Sequence, residues 1–297
     1  MIEISVLPDG TSQKSFGGDT LNTAIYLARL GLPVEYVTAL GDDPYSTEML
    51  EAWKTEAVGI ELVSRFANRV PGLYMINTDD VGERSFHYWR DQAPAREVFD
   101  GDKGAQLADT LAGFDGLYFS GITLSILSEQ GRSNMHRAAL AVRKAGGHVI
   151  FDGNFRPRGW PDYQTARDIF ENFMSTISLA LPTLDDEQDL RQDGWLDAQA
   201  IADLYLAGGV DEVVVKQGAL GALFATHETR GLVPVPEKIK PVDTTAAGDS
   251  FNAGYIKARL DGKDPVTAAA QGHHLAAAVI GTRGAIIPGS AMPGAKK

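Results

Sequence analysis

The chain has 297 residues, with 39 acidic side chains against 27 basic ones and a formal net charge of −12. An acidic surface repels phosphate backbones and anionic lipid, and no run of Lys or Arg is longer than two residues, so the composition argues against nucleic-acid and membrane-surface binding. Cysteine is absent, which excludes disulfides, thiolate nucleophiles, Cys-ligated zinc and iron–sulfur clusters.

At 44% hydrophobic and 22% charged residues the composition is that of a soluble globular protein. No apolar stretch approaches the roughly 20 residues of a membrane span. Met1 to Gly10 lacks the basic and long apolar parts of a signal peptide, so a cytoplasmic location is expected.

In chain order, short β-rich runs alternate with longer helical periods, which predicts an α/β fold around a mainly parallel sheet. Met1 to Gln13 offers a first strand. A helix is predicted over Thr20 to Leu30, closed by Gly31, then a strand over Glu35 to Leu40 and a helix over Pro44 to Ala57, opened by Asp43. Pro71 to Arg90 breaks the alternation and reads as a β-hairpin turning at Asp79-Asp80-Val81-Gly82. Its exposed Tyr, Trp and Arg fit a lid over a site or an aromatic hairpin packed on the core, with equal weight. Buried strands follow at Gly116 to Ser120, His148 to Asp152 and Glu212 to Lys216, and helices at Ser128 to Ala145 and Ala198 to Ala207. Beyond Ile287 the tail is expected to be loosely ordered.

Four segments carry candidate chemistry. Asp243-Thr244-Thr245-Ala246-Ala247-Gly248-Asp249 precedes a helical pattern running to Leu260. Small residues at a helix start let its free N–H groups approach an anion, and Asp249 in the first turn is placed to take a proton from a hydroxyl attacking a phosphoryl group. Asp243, Thr244 and Asp249 are equally ordinary capping types. Lys216-Gln217-Gly218-Ala219-Leu220-Gly221-Ala222 is a glycine turn at a strand's C-terminal edge, without the spacing of a Walker loop or a dinucleotide fingerprint. Gly17-Gly18-Asp19-Thr20-Leu21-Asn22 pairs glycines with polar side chains at a helix start. Phe151 to Arg158 delivers an Asp, an Asn and an Arg to a strand end, where Arg156 suits a carboxylate. The six histidines have no metal-ligand spacing, and no hydrolase triad or nucleophile elbow is present.

Taken together and in this order, the segments resemble the ribokinase-like (PfkB-type) carbohydrate kinases over almost the whole chain. The resemblance implies a three-layer α/β/α domain over residues 1–297, with a mainly parallel central sheet and a small β lid formed by about 1–16 and 70–92. It implies transfer of phosphate from ATP, with Mg²⁺, to a sugar. The hairpin, FDGNFRPRGW, TLDDE and TRGAIIPGSAMP are similar to the members that phosphorylate the acid sugar 2-dehydro-3-deoxy-D-gluconate at its 6-hydroxyl. Another sugar, such as fructose or ribose, and a non-catalytic sugar or nucleotide sensor are the alternatives.

By the same resemblance Asp249 is the catalytic base, and the backbone of Ala246, Ala247 and Gly248 forms the anion hole. Lys216, Gly218 and Gly221 form the nucleotide loop, with Thr183 and His273 as further nucleotide-side positions. Gly18, Asn22, Tyr74, Tyr88, Arg90, Asn154 and Arg156 are the sugar contacts, the two arginines suiting an acid. Ala246 stands where the commonest family form has Gly, and its methyl limits backbone freedom. The acid acting near the metal is left open among Asp185, Asp186 and Glu187. Relatives carry a further apolar strand ahead of the segment resembling Met1-Ile2-Glu3-Ile4, so the sequence is expected to be short at the front by about one strand. The expected partners are the sugar acid and ATP, with a homodimer through the lid.

Overall fold

The computed structural model describes residues 1–6, 10–78, 84–236 and 240–294. The chain divides into two compact units, Met1–Val98 and Phe99–Lys297.

The first unit opens with strands β1 (Ile2–Val6) and β2 (Ser12–Phe16). Helix α1 (Asp19–Arg29) follows the Gly17-Gly18 pair and buries Leu21 to Leu27. Gly31, at φ +84, continues the chain in the left-handed region that favours glycine after a helix end. The strand predicted over Glu35 to Leu40 is two short strands, β3 (Val34–Glu35) and β4 (Thr38–Gly41). The break falls at Tyr36, whose hydroxyl meets that of Thr20 at 3.0 Å and whose ring packs edge-on against Trp53 at 5.1 Å. Helix α2 (Pro44–Thr55) starts where the sequence predicts, because the Asp43 carboxylate accepts the Tyr45 and Ser46 N–H groups at 2.9 and 3.1 Å.

After α2 come β5 (Val58–Gly59), paired with β3, and β6 (Val63–Phe66), paired with β4. The hairpin strands are β7 (Leu73–Thr78) and β8 (Arg84–Trp89); the expected turn at Asp79 to Gly82 lies outside the described residues. A four-stranded sheet results, in the order β2-β1-β7-β8, with β1 parallel to β7. Tyr74 and Tyr88 face each other across the β7–β8 pair.

The second unit holds α3 (Gly101–Leu111), β9 (Gly116–Ser120), α4 (Gly121–Ile126), α5 (Glu129–Lys144), β10 (His148–Asp152), α6 (Tyr163–Met174) and β11 (Leu179–Ala180). Then follow α7 (Leu184–Arg191), α8 (Ala198–Ala207), β12 (Glu212–Lys216), β13 (Ala222–Thr226), β14 (Arg230–Val233), α9 (Ala247–Leu260) and α10 (Pro265–Ile280). Among the described residues its sheet has six strands in the order β14-β13-β12-β11-β10-β9. The last four are parallel, and β13 and β14 extend the sheet antiparallel. Parallel strands need both faces covered, and the centres of β10 (Val149–Phe151) and β12 (Val213–Val215) are accordingly apolar and buried. Phe151 sits at the centre of an aromatic cluster, 5.3 Å from Phe119 and 5.1 Å from Phe170.

Because β9, β10 and β12 run the same way, Ser120, Asp152 and Lys216 come to one edge of the sheet, the C-terminal edge where open α/β sheets bind ligands. Helix α9 is tied to β12 at both ends of that strand. At one end Arg259 and the Tyr255 hydroxyl hold the buried Glu212, the latter at 2.6 Å; at the other Asn252 accepts from Lys216 at 3.0 Å. Helix α10 lies close to α9, and a Cβ at Gly254 would stand 2.9 Å from the Gln271 carbonyl and from Gly272. The tail forms a short 3-10 turn at Gly289–Ala291 where loose order is expected from sequence. Among the described residues no helix is long and apolar enough to cross a membrane.

Candidate active site

The second unit assembles its polar side chains at the C-terminal sheet edge and the start of α9. The Asp243 carboxylate accepts the Thr245 N–H at 2.9 Å and the Gly284 N–H at 2.8 Å, so its work is to fold the loop ahead of the helix. Ala246 follows in the left-handed conformation (φ 61, ψ 18), which a side chain disfavours by roughly 1–2 kcal/mol. Local strain of this kind persists where the surroundings over-determine it, and here it sets the first turn of α9. Among the described residues no carbonyl accepts the Gly248 N–H, a donor left over as at any helix start. Asp249 is half-buried in that same turn.

Lys216 ends β12 beside this turn, and a Cβ at Gly248 would lie 3.7 Å from its Nζ. The ammonium donates to Asp152 Oδ1 and Asn252 Oδ1, both at 3.0 Å. Asn252 Nδ2 donates to the Tyr118 hydroxyl at 3.2 Å, and that hydroxyl lies 3.5 Å from Asp152 Oδ2. Lys216 and Asp152 are 9% and 2% exposed, so this ion pair is an interior feature. Beyond Lys216 the chain turns tightly, with Gln217 N–H donating to the Gly221 carbonyl at 2.8 Å and Gly218 and Gly221 at φ +53 and +113. Thr183, preceding α7, bridges to Lys216 in parallel register and so joins the same edge.

The structure separates the three acids of the TLDDE segment. Glu187 is buried and turned inward, accepting from the Tyr205 hydroxyl at 2.6 Å and from Arg191 at 3.2 Å; burial pushes its carboxyl up, against the pull of those two partners. Asp185 is exposed. Asp186 pairs with Arg156 at 2.9 Å, and burial raises its carboxyl, opposed by that arginine and by the positive field of Lys216. Asp186 is thus the acid electrostatically coupled to Asp152 and Lys216. A nucleotide-borne magnesium takes one or two protein carboxylates and keeps phosphate and water for the rest, and a half-buried, hard oxygen donor of this kind fits it. Among the described residues no group of three or more acids or histidines forms a metal cage.

Asn154, at φ 33 and buried, and Arg156 complete the strand-end segment after Asp152. His273 is turned into the protein: its Nε2 meets the Val233 carbonyl at 3.1 Å and its ring lies 5.0 Å from that of Phe251. Burial lowers its pKa below the usual 6.5, outweighing the Val233 carbonyl. The unfolded chain therefore takes up a proton that the native imidazole resists. Stability from this site is full above pH 6.5 and falls as pH drops below it. Urea unfolding at pH 7.5 and pH 5 checks this, with His273→Gln expected to show a smaller loss on acidification than the parent.

In the first unit, Gly18 precedes α1 and Asn22 is buried in its first turns. Tyr74 is buried, and its hydroxyl donates to the buried Glu3, which also accepts from Ser15 at 2.9 Å. A Cβ at Gly17 would come within 2.6 Å of that hydroxyl, so the glycine permits the contact. The expectation of an exposed hairpin tyrosine is thus corrected for Tyr74, because the carboxylate of Glu3 draws its hydroxyl inward. Tyr88 and Trp89 are exposed, at 45% and 59%. The Arg90 guanidinium stacks over Tyr88 at 4.6 Å, and among the described residues no carboxylate pairs with it. Asn252 and Tyr118 are not among the sequence-derived candidates, and Asp152 enters there only as the Asp of the strand-end segment. The available signal is that two buried apolar strands, β10 and β12, each end on an opposite charge.

Residues 5–292 match the family described as pfkB family carbohydrate kinase. The chain belongs to that family. It is 45% identical over 304 aligned residues to the 2-dehydro-3-deoxygluconokinase of Escherichia coli (strain K12), covering 99% of this chain and 96% of that one. Identity to the protein of the same name from Dickeya dadantii is 44% over the same shares. Among solved structures, a PfkB protein from Polaromonas sp. JS666 is similar at a TM-score of 0.81 and 26% identity, covering 95% of this chain and 93% of that one. The 2-dehydro-3-deoxygluconokinase of Thermotoga maritima shares the fold at a TM-score of 0.79 and 22% identity, covering 97% and 93%.

Proposed function

We propose that the chain transfers the γ-phosphoryl group of ATP to the 6-hydroxyl of 2-dehydro-3-deoxy-D-gluconate, giving 2-dehydro-3-deoxy-6-phosphogluconate and ADP. The observation that carries this reading is the 44–45% identity, over nearly the full length of both chains, to relatives bearing that activity in their names. The local chemistry supports it. Asp249 accepts the proton of the 6-hydroxyl as its oxygen attacks phosphorus and the bond to the β-phosphate oxygen breaks. The backbone of Ala246, Ala247 and Gly248, at the positive end of α9, receives charge developing on the transferred group.

Lys216, Gly218 and Gly221 serve the nucleotide, with Thr183 beside them. His273, held inside by Val233, acts there through packing under Phe251. Magnesium, when bound with the nucleotide, neutralises phosphate charge, and Asp186 is the residue of this chain that would hold it. Arg90 and Arg156 recognise the acid group, and Gly18, Asn22, Tyr74, Tyr88 and Asn154 complete the sugar contacts. The four-stranded sheet of β1, β2, β7 and β8 serves as a lid, and its exposed Tyr88 and Trp89 suit a homodimer formed through it. Soluble action in the cytoplasm belongs to the same reading.

A coupled ADP-release assay with Mg-ATP and a panel of acceptors tests the substrate. The keto-deoxy acid is expected to give the highest kcat/KM. A higher value for fructose or ribose overturns the acceptor, and turnover of none favours a sensor.

A further inference from the structure

The buried Lys216 ion pair has a geometry that nucleotide binding alone does not require. A lysine serving only as a loop cation reaches its anion from solvent on a flexible stem. Here the amine is interior, and two of its three N–H donors are taken by Asp152 Oδ1 and Asn252 Oδ1, each at 3.0 Å. Among the described residues no third acceptor is present, and Gly248, in the first turn of α9, lies beside the amine. Asn252 lies one turn further along the same helix, so the amine is referenced to α9 itself. Its own oxygen is oriented in turn, because Asn252 Nδ2 donates to Tyr118 on β9 at 3.2 Å. The ends of β10 and β12, the middle of β9 and one helix thereby locate a single ammonium.

We propose that Asp152 and Asn252 are positioning residues that fix the Lys216 ammonium at the N-terminal turn of α9, leaving its third N–H for a phosphoryl oxygen of the nucleotide. The proposal rests on the kinase reading above and deepens it. Preorganised charge is worth more than mobile charge during phosphoryl transfer, since it need not reorganise as charge develops on the transferred group. Asp152 forms no bond to substrate in this scheme; it acts through Lys216. The alternative is a purely structural ion pair that ties β10, β12 and α9 together, which would touch stability and not the kinetics.

The test is a double-mutant cycle on kcat and KM for Mg-ATP, using Asp152→Asn, Lys216→Ala and the double variant, with Asn252→Ala as a second single variant. Asp152→Asn is expected to lower kcat/KM for ATP by roughly 10–100-fold while KM for the sugar acid stays within about twofold. In the Lys216→Ala background the same Asp152→Asn change is expected to have no further effect. Asn252→Ala should behave as Asp152→Asn does, and it keeps the proposal open to refutation if Asp152→Asn does not fold. Equal losses from Asp152→Asn with and without Lys216 overturn the proposal, as does unchanged kcat/KM in a folded Asp152→Asn or Asn252→Ala protein. Failure of the acceptor reading shows separately, as absent wild-type turnover of the keto-deoxy acid; the cycle is then run with whichever acceptor of the panel is phosphorylated.

Discussion

Asp249→Asn is expected to lower kcat by about 10²–10⁴-fold, the range for loss of a general base, with affinity for Mg-ATP changed by less than about threefold. The physical ground is position. Asp249 lies in the first turn of α9, after a loop that Asp243 folds and that Ala246 bends through the left-handed region. The helix start offers donors to an anion, while in the proposed reaction the carboxylate one residue past Gly248 is the acceptor for a proton. Asn preserves size and most hydrogen bonding but does not take the proton. Calorimetric ATP binding beside steady-state turnover separates the two roles. A folded Asp249→Asn protein with parental kcat removes Asp249 from the base role.

The second large effect concerns the charge on the acceptor. Arg90→Gln is expected to raise KM for 2-dehydro-3-deoxy-D-gluconate by roughly 10–100-fold while kcat/KM for a neutral sugar is unchanged or improved. A hydrogen bond between charged groups contributes about 1.5–3 kcal/mol, and tenfold in affinity is about 1.4 kcal/mol. Arg90 stacks on Tyr88 at 4.6 Å and has no carboxylate partner among the described residues, so its charge is available to an external acid. Arg156 is a weaker choice for this test. It already pairs with Asp186 at 2.9 Å, and its removal would also disturb the proposed metal-side carboxylate. Equal KM changes for acid and neutral sugars would remove Arg90 from acid recognition.

The net charge of −12 gives these local devices their meaning. Both proposed substrates are anions, which the bulk field of the protein disfavours. In the proposed reaction the start of α9, Lys216, Arg90 and Arg156 offset that field over short distances, where Coulomb interactions outweigh a screened surface charge.

Much of the second unit is legible along the chain. Strands at Gly116 to Ser120, His148 to Asp152 and Glu212 to Lys216 fall where the apolar runs place them, since a strand covered on both faces carries an apolar centre. Helix ends at Asp43 and Gly31 follow from capping chemistry, which is local. The run from Glu35 to Leu40 is less legible. It contains no breaker, and the division into β3 and β4 comes with Tyr36 packing on Thr20 and Trp53, contacts made by other segments.

The candidate site divides in the same way. The order of motifs along the chain is enough for the family, and the loop of small residues ahead of α9 that makes Asp249 a candidate is a contiguous signal. How Asp185, Asp186 and Glu187 come to differ is decided largely by side chains from other segments: Tyr205, with Arg191 one turn along the same helix, draws Glu187 inward, while Arg156 holds Asp186. The turning of Tyr74 toward Glu3 and of His273 toward Val233 is equally non-local. The α/β class and the kinase family follow from local pattern and residue type, which are properties of the chain alone. How the polar side chains of the candidate site are paired follows only from the folded arrangement. A buried charge must find its partner across strands and helices, and the Asp152–Lys216–Asn252 group exists only once β10, β12 and α9 have been brought together.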